Sequence, residues 1–261
     1  DSMTKKCNGC GAVFQSLDSN LEGYIKEENG FKEYDYLEES FFATKADGGI
    51  YTSVNEFFEG SNGGADADGN PTTEMVSSKI KAGTGVIFYS GHGSPNSWAT
   101  GSITKGVVDY MDNFSKYPLI WSVACETGNF KGQRCLAEAW LRAGTSNKPA
   151  GAVAALMASG TQTTFPPMQA QDKIAEILGN DTEEIHTMGS VTVAGLMSMN
   201  DAYGSVGYSM TDIWVLFGDP ALLIRTSAPK TLHANMDDNI GEGRLYFNVS
   251  STASDGLVCL S

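Results

Sequence analysis

The sequence predicts an α/β fold in which a parallel sheet is flanked by helices, followed from residue 230 by the start of a small β module. Two short apolar runs, residues 86–89 and 119–124, are rich in β-branched and aromatic residues and end at turn signals. Such runs are typical of buried strands in a parallel sheet. An amphipathic segment lies between them, and this order of strand, helix and strand indicates a parallel unit. After Pro229 the pattern changes to short alternating strands with turn signals.

The first elements along the chain are predicted to be a helix and an outer strand, within residues 11–45. Apolar residues recur at roughly helical spacing over residues 17–26, and Gly30 ends the pattern. An extended piece then begins at Tyr34, which predicts an outer strand of the sheet.

Residues 46–70 are rich in Gly, Asp and Asn, which predicts a long acidic loop. Within it, Asp66, Asp68 and Asn70 present oxygen ligands at alternating positions, and hard oxygen ligands suit calcium as a structural ion. A solvated acidic loop without a metal is the alternative. Residues 71–81 then predict a helix capped by Thr72 or Thr73, and it leads into the first central strand.

The remainder of the first domain is predicted to alternate helices and strands. The predicted elements are a helix at residues 136–143, a third buried strand at 152–158, helices at 169–178 and 191–202, and closing segments at 213–217 and 222–224. The carboxyl end of the third strand meets the same edge of the sheet as the first two. The loop over residues 159–168 is therefore predicted to wall a cleft at that edge.

Composition limits the function classes. The chain has 261 residues, 41% of them hydrophobic, which is enough for a sizeable core. A formal net charge of −14 argues against nucleic acid or an anionic membrane as a partner. No apolar run approaches the length of a membrane span, and the first residues do not resemble a signal peptide, so we expect any targeting segment to have been removed or left off. Three N-glycosylation sequons, at Asn113, Asn180 and Asn248, are compatible with secretion.

Five cysteines are present. If one remains a free nucleophile, the pairing of the other four stays open; these are Cys7, Cys10, Cys135 and Cys259. The pair Cys7-x-x-Cys10 alone does not predict zinc, because a structural zinc site needs four ligands and no second close pair exists.

The two central strands each end beside a residue that can do chemistry. His92 follows the first strand and Cys125 the second, so both are predicted to lie at the carboxyl edge of the sheet. A thiolate is a strong nucleophile, and a neighbouring imidazole can activate it and protonate a leaving amine. Backbone N–H groups nearby, those of Gly93 and Cys125, would hold the developing oxyanion. Each residue alone is more often structural, but together they predict a cysteine hydrolase.

Several separated motifs resemble the gingipains, cysteine endopeptidases of the caspase-like fold, and most closely the arginine-specific type. The resemblance covers roughly residues 70–229 and rests on Ser90-Gly91-His92-Gly93-Ser94 with Trp98, Val123-Ala124-Cys125-Glu126-Thr127-Gly128-Asn129-Phe130, Cys135-Leu136-Ala137-Glu138-Ala139, Gly151-Ala152-Val153-Ala154, Met168-Gln169-Ala170-Gln171-Asp172 and Trp214-Val215-Leu216-Phe217-Gly218-Asp219-Pro220. It implies an exported peptidase with His92 and Cys125 as its catalytic pair. It also implies that Phe165 lines the primary specificity pocket, with Trp98 as a second substrate-binding residue. A structural aromatic packed under the loop is the alternative for Phe165.

The resemblance also implies a domain organisation. Residues 1–229 are expected to form a caspase-like catalytic domain with residues 46–70 as an insertion, and residues 230–261 the beginning of an immunoglobulin-like module. A whole sandwich needs about 100 residues, so the module is expected to be cut short or completed by another chain. The family's carboxylate that orients the catalytic His should precede His92, and three candidates are Asp18, Glu22 and Glu33.

Together these features predict a secreted cysteine endopeptidase that needs no cofactor and cleaves after basic residues, Arg over Lys. Overall acidity and an aromatic wall at Phe165 favour that preference, with a pocket carboxylate from Asp18 or Glu22. Two alternatives are a sorting transpeptidase on the same fold and a relative that binds without turnover.

Overall fold

The structure, a computed structural model, describes residues 12–15, 54–58, 68–163, 165–179, 187–224, 233–236 and 249–251. The chain divides into two compact units, Asp1–Thr226 and Ser227–Ser261, which are described separately. Within the described ranges, no helix combines the length and the hydropathy needed to cross a membrane.

A six-stranded sheet forms the centre of the first unit. Its strands are β1 (Ala12–Gln15), β2 (Val54–Phe57), β3 (Val86–Ser90), β6 (Leu119–Val123), β9 (Ala154–Ala158) and β10 (Trp214–Phe217), in the spatial order β10-β9-β6-β3-β1-β2. Five strands are parallel, and β10 alone among them runs antiparallel, against β9. Two short hairpins lie outside this sheet, β4 (Gly93–Ser94) with β5 (Ser97–Trp98) and β7 (Gly144–Thr145) with β8 (Lys148–Pro149).

Helices cover both faces of the sheet. The described helices are α1 (Thr73–Ala82), α2 (Lys105–Asp109), α3 (Leu136–Arg142), α4 (Phe165–Gly179), α5 (Met188–Tyr203) and α6 (Ser205–Thr211). Side chains of a strand alternate between faces, so β3 sends Val86 and Phe88 to one side and Ile87 and Tyr89 to the other. The first side packs against α4, α5 and α6, and the second against α1, α2 and α3. The result is a three-layer arrangement whose three central strands are buried along their whole length.

The predicted central strands and most of the predicted helices are confirmed. The helix at residues 71–81 is α1, and Thr72 caps it by accepting a hydrogen bond of 3.3 Å from the Met75 N–H. The helix predicted at residues 169–178 begins four residues earlier, at Phe165. The predicted parallel sheet is mixed, because the chain returns along β9 as β10.

The prediction of a continuous loop over residues 46–70 is wrong at β2. Residues 54–57 pair in parallel with β1, and Phe57 and Phe58 are buried, so these apolar residues form an edge strand inside a polar segment. The sequence interpretation also began the fold with a helix and so missed β1 at Ala12–Gln15, which pairs with both β2 and β3. The helix predicted at residues 17–26 and the strand near Tyr34 lie outside the described residues.

The fold buries the asparagine of one of the three sequons. Asn113 is only 1% exposed. Its amide nitrogen donates to the carbonyl oxygens of Lys116 and Gly151, both at 2.8 Å, and its amide oxygen accepts from the Gly151 N–H. A glycan on this nitrogen would disrupt those bonds, so Asn113 supports no inference of glycosylation. Asn180 and Asn248 lie outside the described residues.

In the second unit, β11 (Ala234–Met236) and β12 (Val249–Ser251) form an antiparallel pair with Asn235 opposite Ser250. A two-stranded pair is compatible with many β folds, and the immunoglobulin-like module stays a prediction.

Candidate active site

The candidate site lies where β3 and β6 end. These strands are adjacent and parallel, and Ser90, the last residue of β3, is opposite Val123, the last residue of β6. The Gly91 N–H continues the ladder by donating to the Val123 carbonyl oxygen at 3.0 Å. His92 and Cys125 each come two residues after this last pair. Both therefore leave the sheet at the same edge, as the sequence predicted for their strands.

The backbone at His92 is held by two donors. Its carbonyl oxygen accepts a hydrogen bond from the Tyr89 hydroxyl at 2.7 Å and another from the Ala99 N–H at 3.0 Å. His92 itself is exposed at the start of the β4–β5 hairpin. The imidazole is thus carried on a fixed backbone but remains open to solvent.

Trp98 lies beneath this turn rather than at the surface. Its side chain is 1% exposed, and its ring stacks on Tyr89 with the ring centroids 4.6 Å apart. The indole N–H donates to the Ser122 hydroxyl on β6 at 2.9 Å. Because nearly all of its surface is covered by protein, Trp98 supports the His92 turn from below, and the expected direct contact with substrate does not fit this position.

Cys125 begins a tight turn with an uncommon backbone conformation. The next residue, Glu126, has a φ of +59°, a left-handed conformation that costs a residue with a side chain about 1–2 kcal/mol. Two bonds to the segment at the end of β9 hold the turn: the Glu126 N–H donates to Gly160 at 3.0 Å, and the Gly128 N–H donates to Ala158 at 2.7 Å. Strain of this kind persists where surrounding bonds enforce it, and it clusters at functional sites.

The Cys125 thiol is half-buried and contacts the loop after β9. The Gln162 N–H donates to Sγ at 3.4 Å, and Sγ lies 3.8 Å from the Gln162 carbonyl oxygen. These two contacts fix the position of Sγ against the loop. No described residue accepts a hydrogen bond from the Cys125 N–H, so that donor is available to a ligand as far as this part of the chain defines it. Gln162 was not predicted, because a polar loop residue carries no periodic signal.

The turns of His92 and Cys125 are in direct contact through Gly93. A Cβ atom on Gly93 would lie 2.7 Å from Thr127 Cγ2, 2.8 Å from Ala124 Cβ and 3.0 Å from the Cys125 carbonyl oxygen. Real Cβ atoms essentially never approach other atoms as closely as the first two of these distances. Glycine is thus required here by the closeness of the two turns.

The loop after β9 forms a third side of the site. Ser159 donates to the Ile213 carbonyl oxygen from its N–H at 2.7 Å and from its hydroxyl at 2.8 Å, and the Thr163 N–H donates to Met210 Sδ at 3.3 Å. Phe165 follows as the first residue of α4, half-buried and packed against the core beneath α4. Its ring is therefore partly structural, and its place in a specificity pocket stays a prediction.

An ion pair connects the segments that follow the two turns. Arg134, just before α3, binds Asp109 of α2 through two parallel hydrogen bonds of 2.9 and 2.5 Å. The hydrogen bond to Asp109 is the largest cause that raises the pKa of Arg134 above its ordinary value. Both side chains are about one-third exposed, so the pair contributes on the order of 1 kcal/mol or less.

The second described cysteine is chemically different from Cys125. Cys135 is a free thiol with 0% exposure at the start of α3. Burial raises the pKa of Cys135 above its ordinary value, so its thiol keeps its proton at neutral pH. Among the described residues, only Cys125 thus combines a free thiol with access from solvent.

The other predicted residues are either exposed or lie outside the described part of the chain. Asp68 and Asn70 are exposed, and no group of three His, Cys, Asp or Glu residues in the described part of the chain could hold a metal. The remaining candidates lie outside the described residues: Asp66 of the calcium prediction, the carboxylates Asp18, Glu22 and Glu33, and the cysteines Cys7, Cys10 and Cys259.

Comparison with known proteins gives a consistent result. Residues 12–225 match the family model described as peptidase family C25. A gingipain R2 of Porphyromonas gingivalis is 32% identical over 197 residues, covering 74% of this chain and 27% of that protein. A gingipain R2 from another strain is 30% identical over 246 residues, covering 93% of this chain and 32% of that protein. The chain spans about a third or less of the length of these curated relatives.

Two solved structures are similar over nearly the whole chain. The Arg-specific cysteine proteinase gingipain R has a TM-score of 0.74 and 27% identity, covering 95% of this chain and 55% of that one. The complex of the pro- and mature domains of Porphyromonas gingivalis RgpB gives 0.75 and 26%, covering 97% of this chain and 59% of that one. These likenesses confirm the predicted gingipain-like α/β core with its flanking helices.

Proposed function

The chain belongs to peptidase family C25, and from that premise we propose that it is a secreted cysteine endopeptidase with Cys125 as nucleophile and His92 as its proton-transfer partner. One observation carries the proposal most strongly. The turns that hold these two residues leave adjacent parallel strands at one edge and touch through Gly93. Ligands of open α/β sheets bind at such an edge.

In the acylation step, His92 takes the proton of the Cys125 thiol, and Sγ attacks the scissile carbonyl carbon to form a carbon–sulfur bond. The negative charge that develops on the carbonyl oxygen is held by the N–H groups of Cys125 and Gly93. The carbon–nitrogen bond then breaks as His92 gives a proton to the leaving amine, and a thioester remains on Cys125.

In the second step, water attacks the thioester while His92 accepts one of its protons. The carbon–sulfur bond breaks, the carboxylic acid product leaves, and the proton returns to the thiolate. The strained turn at Glu126 and the Gln162 N–H support this scheme, because they hold Sγ in place at the edge of the sheet.

We further propose cleavage after basic residues, with Arg preferred over Lys. One similar structure is described as an Arg-specific proteinase, and this chain carries a net charge of −14. A guanidinium group gains from a bidentate carboxylate and from stacking on an aromatic ring, for which Phe165 is the candidate and Asp18 or Glu22 the candidate carboxylates. A library of peptides that vary the residue before the scissile bond tests this preference, and cleavage spread over neutral residues would contradict it.

The proposal includes an exported protein whose partners are peptide or protein substrates. The acidic charge supports the absence of a nucleic-acid partner.

Product analysis tests the reaction class. Incubation of a library peptide with the wild-type protein should release a free carboxylic acid product, and an added amine should leave that product dominant. Transfer of the acyl group to the amine as the main product would point instead to a transpeptidase. Absence of any turnover, together with failure of a thiol-reactive peptide probe to label Cys125, would point to a non-catalytic relative.

A further inference from the structure

A buried glutamine joins the two strands that carry the candidate catalytic residues. Gln171 lies on α4 and is 3% exposed. Its amide nitrogen lies 3.3 Å from the Tyr89 carbonyl oxygen on β3 and 3.3 Å from the Trp121 carbonyl oxygen on β6. Its amide oxygen accepts a hydrogen bond of 2.7 Å from the Ser90 hydroxyl at the end of β3.

Gln171 is a buried polar residue among apolar neighbours on its helix. Its neighbours toward the sheet are apolar and buried, including Met168, Ala170 and Ile174. An apolar side chain would pack there at lower cost, since a buried amide must recover its lost hydration through hydrogen bonds. Gln171 uses both of its N–H groups and its oxygen, so its polar group is matched to the ends of these two strands.

From this geometry we propose that Gln171 is a positioning residue for the proposed hydrolysis, one that fixes the ends of β3 and β6 relative to each other. Tyr89 and Trp121 lie three and four residues before His92 and Cys125. Tyr89 also holds the His92 carbonyl oxygen through its hydroxyl, so the bonds to the Tyr89 carbonyl and to Ser90 fix the stem of the His92 turn. A displacement of about 1 Å between reacting groups can lower a rate about 100-fold.

The test replaces Gln171 by methionine, which has a similar volume and cannot donate to a carbonyl. In Gln171→Met, kcat should fall about 10- to 100-fold while KM changes less than about threefold. Gln169→Met is the matched control, because Gln169 is on the same helix but donates to Ser198 on α5 at 3.3 Å, away from the sheet. The control should keep wild-type values.

Ser90→Ala is a second variant, which removes only the hydroxyl bonded to Gln171 and should lower kcat several-fold. It provides the test if Gln171→Met does not fold. The rate at which iodoacetamide alkylates Cys125 is measured in parallel and should fall in both variants. The inference rests on the proposed peptidase activity. The alkylation rate of Cys125 needs no turnover, so it tests the role of Gln171 separately from that activity. A wild type without turnover overturns the peptidase, whereas Gln171→Met and Ser90→Ala matching Gln169→Met in both kcat and alkylation rate overturn the role of Gln171.

Discussion

The Cα of Gly93 lies so close to the Cys125 backbone that a methyl group on it would sit 3.0 Å from the Cys125 carbonyl oxygen. Two further atoms, Thr127 Cγ2 and Ala124 Cβ, would be closer still. The position of the imidazole relative to the thiol therefore depends on the absence of a side chain at one residue.

Gly93→Ala should accordingly impair the site and the fold together. The added methyl has to push the two turns apart, and overpacking of this kind costs about 1–3 kcal/mol. We expect a lower melting temperature and at least a tenfold loss of peptide hydrolysis. Gly106→Ala is the control, because a Cβ at Gly106 meets only Thr104 Oγ1, at 3.6 Å, and should leave both measurements unchanged. Equal stability and activity of Gly93→Ala and wild type would contradict the close contact.

Thiol labelling should separate Cys125 from Cys135. Cys125 is half-buried at the edge of the sheet, whereas Cys135 is fully buried and its pKa is raised by burial. Brief treatment of the folded protein with iodoacetamide should modify the peptide containing Cys125 and spare the one containing Cys135, as read by mass spectrometry. Both should react in denaturant. Labelling of Cys135 at a comparable rate in the folded state would show that α3 opens readily.

The pH dependence of stability should carry a contribution from Cys135. An unfolded cysteine titrates near pH 8.5, and the pKa of Cys135 is higher in the folded state. Above about pH 8.5 the unfolded chain therefore binds fewer protons at this residue, and stability falls as pH rises. At pH 7, the free energy of unfolding of Cys135→Ala should be about 1 kcal/mol lower than that of the wild type, because the substitution leaves a cavity. The difference in free energy of unfolding between Cys135→Ala and wild type should shrink between pH 8 and 10. A difference that stays constant over this range would contradict the raised pKa of Cys135.

Calcium binding at Asp66, Asp68 and Asn70 remains a prediction from the sequence. A ligand at 100 times its dissociation constant stabilises a protein by about 2.7 kcal/mol. Millimolar calcium should therefore raise the melting temperature of the wild type but not that of Asp66→Asn/Asp68→Asn. A melting curve that does not change across a calcium titration would leave the loop as solvated surface.

The parts of the fold that were predicted correctly are those with a strong local signal. The runs that became β3, β6 and β9 are continuous apolar segments, and Thr72 before α1 is a standard cap. Strand β2 was missed because Val54 and Phe57 stand in a segment whose composition is that of a loop. Its pairing with β1 comes from residues about 40 positions away, which local pattern does not contain.

The same contrast between local signals and long-range contacts holds for the residues of the candidate site. His92 and Cys125 could be proposed because turn residues follow apolar strands in each case. The burial of Trp98 depends on Ser122 and Tyr89, and the role of Gln171 depends on strands roughly 50 and 80 residues earlier. Such contacts become visible only when the sheet order is known.

The measurement that tests the account most directly is the rate of peptide hydrolysis by purified, folded Cys125→Ala, with His92→Ala beside it. Neither residue lies in the apolar core, so both variants should keep the wild-type melting temperature within a few degrees. Loss of the nucleophile or its proton-transfer partner should lower kcat by a factor on the order of 10^4 or more, against a substrate with Arg before the scissile bond. Retention of a tenth of the wild-type rate by Cys125→Ala would contradict the assignment.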